Sequence, residues 1–156
     1  MPPITKNGKS GRKGARRSRR QPSPADLDRA RDRAAAAPLR RELALALARA
    51  GQTEEARQVL SELLISVPPD AELLGLVGRV NKDLAWRSAG AEEGRAHLQT
   101  ALDFYLDGYR REGGAYCGIN AASLHALLGE QKAAEALAAE VLDGLAAEEG
   151  FWPSAI

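Results

Sequence analysis

Apolar residues in the chain recur at helical intervals, in blocks separated by short polar or glycine-bearing breaks. Leu39, Leu43, Ala46, Leu47 and Ala50 follow a spacing of three and four, and Gly51-Gln52 ends the run. Thr53 then stands as an N-cap, with Glu54 and Glu55 at the positive end of the helix dipole that follows. Ala56, Val59, Leu60, Leu63 and Leu64 form one stripe, which Pro68-Pro69 stops. So short a turn forces the two predicted helices to lie antiparallel.

The hairpin has the residue spacing of a tetratricopeptide unit, in which one helix follows W-x2-L-G-x2-Y and its partner A-x3-F before a closing proline. Those slots hold Arg40, Leu43, Ala44 and Leu47, then Ala56, Leu60 and Pro68. Ala44 and Ala56 let the paired backbones approach, and Leu43, Leu47 and Leu60 are expected to fill the space around them. The next small slot, 34 residues after Ala44, is Gly78. The second A-x3-F pair, Ala101 and Tyr105, comes 45 residues after Ala56, so the middle unit carries an insertion. Composition places it as a loop at Trp86–Gly94. A third unit runs from Ala121-Ala122 through Gly129, with a second helix striped by Ala134, Leu137, Ala138, Val141, Leu142 and Leu145. Residues 24–36 predict an extra helix capping the stack, separated from the rest by Pro38. The expected architecture is an all-α, tetratricopeptide-like right-handed superhelix of about three helical hairpins. It comprises a disordered basic arm over residues 1–24, the repeat domain over 25–150 and a short tail over 151–156.

Composition agrees. Hydrophobic residues make up 44% of the chain but aromatics only 4%, so Ala and Leu carry the packing, which suits closely approaching helices and not strands. The formal net charge of +1 conceals an uneven distribution: residues 1–21 hold eight Lys or Arg and no Asp or Glu, and the remainder is acidic. The arm has too little apolar surface to offset its ordering entropy. Cys117 is the sole cysteine, which excludes an intrachain disulfide and any multi-cysteine metal site. The best apolar run, Leu39 to Ala50, contains charges and is too short to span a bilayer, and the basic N-terminus lacks the apolar region of a signal peptide. A cytoplasmic protein without membrane contact is expected.

Three motifs narrow the reading. Gly78, Arg79, Lys82 and Asp83 stand in one predicted helix, Ala101 and Tyr105 in the next, and Tyr116, Gly118, Ile119 and Asn120 lead into a third. In that order they resemble the TRAF-binding region of the apoptosis signal-regulating kinases, a tetratricopeptide-like domain shared with bacterial tetratricopeptide proteins. Asn81 departs from the family's frequent aromatic and Cys117 from its frequent Pro or Ser. The resemblance covers roughly half the chain and implies a scaffold, since nothing in the sequence resembles a kinase domain.

The candidate partner-binding residues are Arg79, Lys82, Asp83, Trp86 and Asn120. Arg79 and Lys82 offer positive charge to an acidic segment, although Asp83 is placed to close an ion-pair network that would lock one hairpin onto the next. Gly118, Ile119 and Asn120 read as a turn into a helix, with Ile119 anchored in the core and Asn120 as cap. Tyr105, Tyr109 and Tyr116 read as packing residues whose hydroxyls reach a polar edge. Trp86 reads as a helix-end anchor. Cys117 and His125 lack a third group to orient the base, and His97 and His125 have no metal spacing, so neither catalysis nor a metal or cofactor is expected. Two further partners follow from the termini: nucleic acid through the basic stretch of residues 6–20, and self-association through Phe151-Trp152 at the C-terminal end.

Overall fold

In the computed structural model, which describes residues 23–149, each periodic block is a helix and no strand occurs among the described residues. The helices are α1 (Pro24–Arg49), α2 (Thr53–Ser66), α3 (Ala71–Arg87), α4 (Ala91–Glu112), α5 (Ala115–Leu127) and α6 (Gln131–Glu149). The basic arm and Phe151-Trp152 lie outside the described residues. The helices pair as α1–α2, α3–α4 and α5–α6, and each hairpin packs on the next. The first helices, α1, α3 and α5, touch one another in succession, whereas the second helices α2, α4 and α6 stand apart. The stack therefore curves, with α1, α3 and α5 lining its inner face.

Local chemistry fixes the helix ends. Ser23 and Asp26 form a capping box: the Asp26 N–H donates to Ser23 Oγ at 3.2 Å and the Ser23 N–H to Asp26 Oδ2 at 3.0 Å. The first and third hairpins turn on glycines with left-handed backbone, Gly51 (φ 82°) and Gly129 (φ 85°). In each the next residue donates across the turn, Gln52 N–H to the Leu47 carbonyl at 2.9 Å and Glu130 N–H to the His125 carbonyl at 2.8 Å.

Small residues set the closest approaches. Ala44, Ala56, Ala101 and Ala121 are fully buried. A Cβ on Gly78 would sit 2.8 Å from two ring carbons of Tyr105, and one on Gly118 would run into Val141 Cγ2. Gly144 of α6 has open space around it. Gly144→Ala is therefore expected to raise the unfolding free energy by up to about 1 kcal/mol through helix propensity alone, read from urea denaturation.

Several sequence expectations need correction. Residues 24–36 do not form a separate helix: α1 runs on through Pro38. A proline costs a helix one N–H bond and a clash with the preceding turn, yet the flanking residues here are strong helix formers. The buried face of α1 is Ala37, Ala44 and Ala48, while Leu39 and Leu43 are exposed. The chain thus presents mainly alanines to the core, with Leu47 alone of the three predicted leucines of α1 packed against it. The insertion in the second hairpin is also not a Trp86–Gly94 loop, because only Ser88, Ala89 and Gly90 lie between α3 and α4. Instead α3 continues nine residues past Gly78, where α1 continues five past Ala44, and α4 begins ten residues before Ala101, where α2 begins three before Ala56. The added residues lengthen both helices, and the charges of Glu92 and Glu93 fall in the first turn of α4, where the dipole favours them.

The inter-hairpin lock comes from a residue the motifs did not single out. Arg41 of α1 donates to Asp70 Oδ2 at 2.7 Å and to Glu72 Oε2 at 2.7 Å, joining the first hairpin to the N-terminus of α3. Burial pushes the Asp70 carboxyl upward, but the Leu73 N–H and the Arg41 guanidinium outweigh it and hold it below its ordinary value. A depressed carboxylate contributes stability above its unfolded pKa of about 3.9 and loses it as pH falls through the folded value. Asp70→Asn keeps a capping side chain and removes the charge. Its stability deficit against wild type is expected to be about 1 kcal/mol above pH 5 and to vanish toward pH 2, read from urea midpoints across pH.

Candidate partner-binding groove

Helix α3 has two faces. Leu73, Leu74, Val77, Val80 and Leu84 are buried against its neighbours, while Arg79, Lys82 and Asp83 are half-buried and Trp86 is 63% exposed. These four follow one another along the inner side of the stack. On α5 the exposed positions are Tyr116, Ile119, Ser123, Ala126 and Leu127. That spacing draws a stripe about 16 Å long on the helix adjacent to α3. Four large apolar side chains, Trp86, Tyr116, Ile119 and Leu127, thus lie open on two neighbouring helices, each more than half exposed. At one end of the groove, Trp86, Leu98 and Leu127 wall a cleft of about 440 Å³ behind the α3–α4 turn.

The expected Arg79–Lys82–Asp83 ion-pair network is absent among the described residues. Lys82 Nζ donates instead to Asn120 Oδ1 of α5 at 2.9 Å and lies 5.9 Å from the centroid of the Tyr105 ring. Arg79 and Asp83 enter no salt bridge among the described residues, where the charged pairs are formed by other side chains. The lock this network was expected to supply is made by Arg41.

Gly118, Ile119 and Asn120 are not a turn. The connection from α4 is Gly113-Gly114, with Gly113 at φ 69°, and α5 starts at Ala115. Gly118 lies inside the helix, where its missing side chain admits Val141 and Tyr109. Ile119 is 53% exposed and not a core anchor, and the Asn120 Nδ2 donates back to the Tyr116 carbonyl at 2.9 Å. A glycine in the middle of a helix costs about 1 kcal/mol against alanine. In this sequence that cost marks close packing, which reads identically to a turn signal until a partner helix is in place.

Beneath Lys82 sits Tyr105 of α4, with no exposed surface. Its ring lies against Gly78 and meets the Tyr116 ring edge-on, with centroids 5.9 Å apart and planes at 74°. Its hydroxyl is buried and, although the Tyr116 phenol is near, makes no hydrogen bond of ordinary geometry among the described residues. Burial and the nearby Tyr116 phenol push its pKa well above the ordinary tyrosine range, and the Arg79 guanidinium pulls the other way. Tyr109 does reach a polar edge, with its hydroxyl donating to Glu140 Oε1 at 3.1 Å.

Cys117 and His125 form no nucleophilic pair. Cys117 is buried, its thiol faces the Ala71 carbonyl at 3.6 Å, and burial pushes its pKa up, away from thiolate chemistry. His125 lies two helical turns farther on, with Nδ1 2.6 Å from Glu130 Oε2. Among the described residues no three His, Cys, Asp or Glu side chains converge as a metal site, and no helix is long and apolar enough to cross a membrane.

Residues 21–125 match the family model described as Tetratricopeptide Repeats-Sensor. No curated protein and no solved structure matches the chain. The family match spans α1 to α5, the helices that build the stacked hairpins and the groove. The chain belongs to the Tetratricopeptide Repeats-Sensor family.

Proposed function

We propose that this protein is a non-catalytic regulatory scaffold whose inner groove takes up an acidic, partly apolar segment of another protein. The observation that carries this reading is the juxtaposition of open apolar side chains on α3 and α5 with a cation, Arg79, that has no ion-pair partner among the described residues. Exposed Trp and Tyr beside Arg is the composition of binding hot spots. An acidic segment complements the charge of Arg79 and Lys82 and covers Trp86, Tyr116, Ile119 and Leu127. Asn120 holds Lys82 in place, and Asp83 selects against segments with acidic residues at its own position. The sensor description of the family and the resemblance to the TRAF-binding region of signalling kinases support a cytoplasmic signalling role. A TRAF partner is not part of the proposal.

The test is retention from nuclease-treated source-cell extract by three baits: the full chain, residues 22–156, and the full chain carrying Arg79→Glu and Lys82→Glu. The same protein is expected on the first two baits, with at least tenfold less on the third. Loss of retention with the arm or with nuclease would move the activity to residues 6–20 and nucleic acid.

A further inference from the structure

Asn81 is one of two buried polar side chains among the described residues, the other being Thr53 at the start of α2. It interrupts the buried face of α3 between Val77 and Leu84, where a leucine would extend the apolar surface without burying a carboxamide. Its Nδ2 donates to the Val77 carbonyl at 2.9 Å, and its Oδ1 takes part in no hydrogen bond among the described residues. The unpartnered side-chain polar atoms sealed from solvent among those residues are Arg41 Nε and the Tyr105 hydroxyl, so the Asn81 oxygen is not sealed. Asn81 is nevertheless only 6% exposed, and the space it lines is a cavity of about 190 Å³. The walls are Leu60 and Leu64 of α2, Val77 and Val80 of α3 and Phe104 of α4. Helices α2 and α4 do not meet, whereas α3 packs on both, so the stacking of the first two hairpins itself creates this gap. The more exposed lining residues, Arg57, Ser61 and Thr100, are polar, and Arg57 is already paired, Nε to Glu54 Oε2 at 2.7 Å.

We infer that this cavity binds a neutral aromatic ring carrying one N–H or O–H donor, with the ring among Phe104 and the aliphatic walls and the donor on Asn81 Oδ1. Apolar walls around one placed polar group are the ordinary make-up of a small-ligand site. An apolar cavity of about 150 Å³ takes a benzene ring, so this one has room for a ring with a small fused or attached group. The carboxamide oxygen only accepts, which fixes the ligand's polar group as a donor. Charge is excluded, because the walls hold no counter-ion and the Arg57 guanidinium is engaged by Glu54. An indole has this chemistry, whether free or as the side chain of a partner's tryptophan. The cavity shares no lining residue with the groove between α3 and α5, so the site stands apart from the acidic-segment reading.

The experiment titrates the full chain, with ¹³C-labelled Leu and Val methyl groups, with indole and separately with indene, a ring of the same shape without the N–H. The methyl signals of Leu60, Leu64, Val77 and Val80 are expected to shift saturably with indole, and indene is expected to bind about tenfold more weakly or worse. Asn81→Ala removes the acceptor without filling the cavity and is expected to erase the preference for indole over indene. Asn81→Leu fills the space and is expected to abolish both responses while unfolding at a higher urea concentration than wild type, which separates lost binding from lost fold. A third titration with N-acetyltryptophanamide distinguishes the sources: binding of both compounds assigns a partner's tryptophan side chain, and binding of indole alone assigns a free small molecule. No saturable shift, equal binding of indole and indene by wild type, shifts confined to Leu98 and Leu127 beside Trp86, or an undiminished indole response in Asn81→Leu would each overturn the site. Any of these outcomes leaves the groove reading standing, because the bait experiment tests residues that the cavity does not use.

Discussion

Gly78→Val is expected to lower the unfolding free energy by about 3 kcal/mol or more, the upper range for overpacking a closed core. The first added carbon already falls 2.8 Å from two carbons of the Tyr105 ring, and valine adds two more. The ring has no exposed surface, so it has no free volume to enter. Its rotation away from α3 would also disturb its contacts with Tyr116 and Lys82. Gly78→Ala is expected to lose less, because alanine's helix propensity returns about 1 kcal/mol of the strain. Urea denaturation of both variants, with an unchanged dependence on denaturant, checks the ordering wild type above alanine above valine. A valine variant as stable as wild type would mean that α3 and α4 do not approach as described.

The second large effect concerns the last hairpin. Gly118→Ala is expected to cost about 2 kcal/mol, since its Cβ runs into Val141 Cγ2 and meets the Tyr109 ring at 3.0 Å. Val141 is buried and β-branched, so its methyl has few torsional escapes. Val141→Ala alone is expected to cost about 1–3 kcal/mol as a core truncation. Combined, the two changes are expected to cost less than their sum by about 1 kcal/mol or more, because each removes part of what the other disturbs. A double-mutant cycle by urea denaturation gives that coupling, and simple additivity would contradict the close α5–α6 contact.

Helices α2 and α4 were the most legible in the sequence, whereas on α6 the expected stripe member Leu142 is exposed. Ala56, Leu60 and Leu63 of α2, and Ala101 and Tyr105 of α4, are buried as their spacing predicted. Each of those helices sets a single apolar stripe against polar residues, so its buried phase is unambiguous. Helix α1 misled because alanine and leucine alternate through it. Two phases look apolar, and the hydrophobicity of leucine favours the wrong one, whereas backbone approach selects alanine. Loop composition at Trp86–Gly94 misled for a related reason: Ala, Glu and Arg are helix formers, and the three glycine and serine residues among them do not outweigh the helix that continues to Glu112.

In the groove, residue types were legible and pairings were not. Arg79, Lys82, Trp86 and Asn120 reach the inner faces of α3 and α5, but whether a cation meets Asp83 or Asn120 depends on contacts 38 residues apart in sequence. The Arg41 clamp, 29 and 31 residues from its two carboxylates, was invisible for the same reason. Nor did periodicity distinguish Tyr105 from a phenylalanine. The feature that sets it apart, a buried hydroxyl with no hydrogen bond of ordinary geometry among the described residues, exists only once three helices enclose it.

Whether the inner groove is the working surface is tested most directly by site-specific photocrosslinking in nuclease-treated source-cell extract. The crosslinking residue would be placed at Ser123, exposed on α5 inside the groove, or at Gln58, exposed on α2 outside it. A covalent adduct with one protein, through an acidic segment, is expected from position 123 and not from position 58, and it should persist in residues 22–156. Adducts from position 58 alone, or none from position 123 while a partner is still retained, would contradict the account.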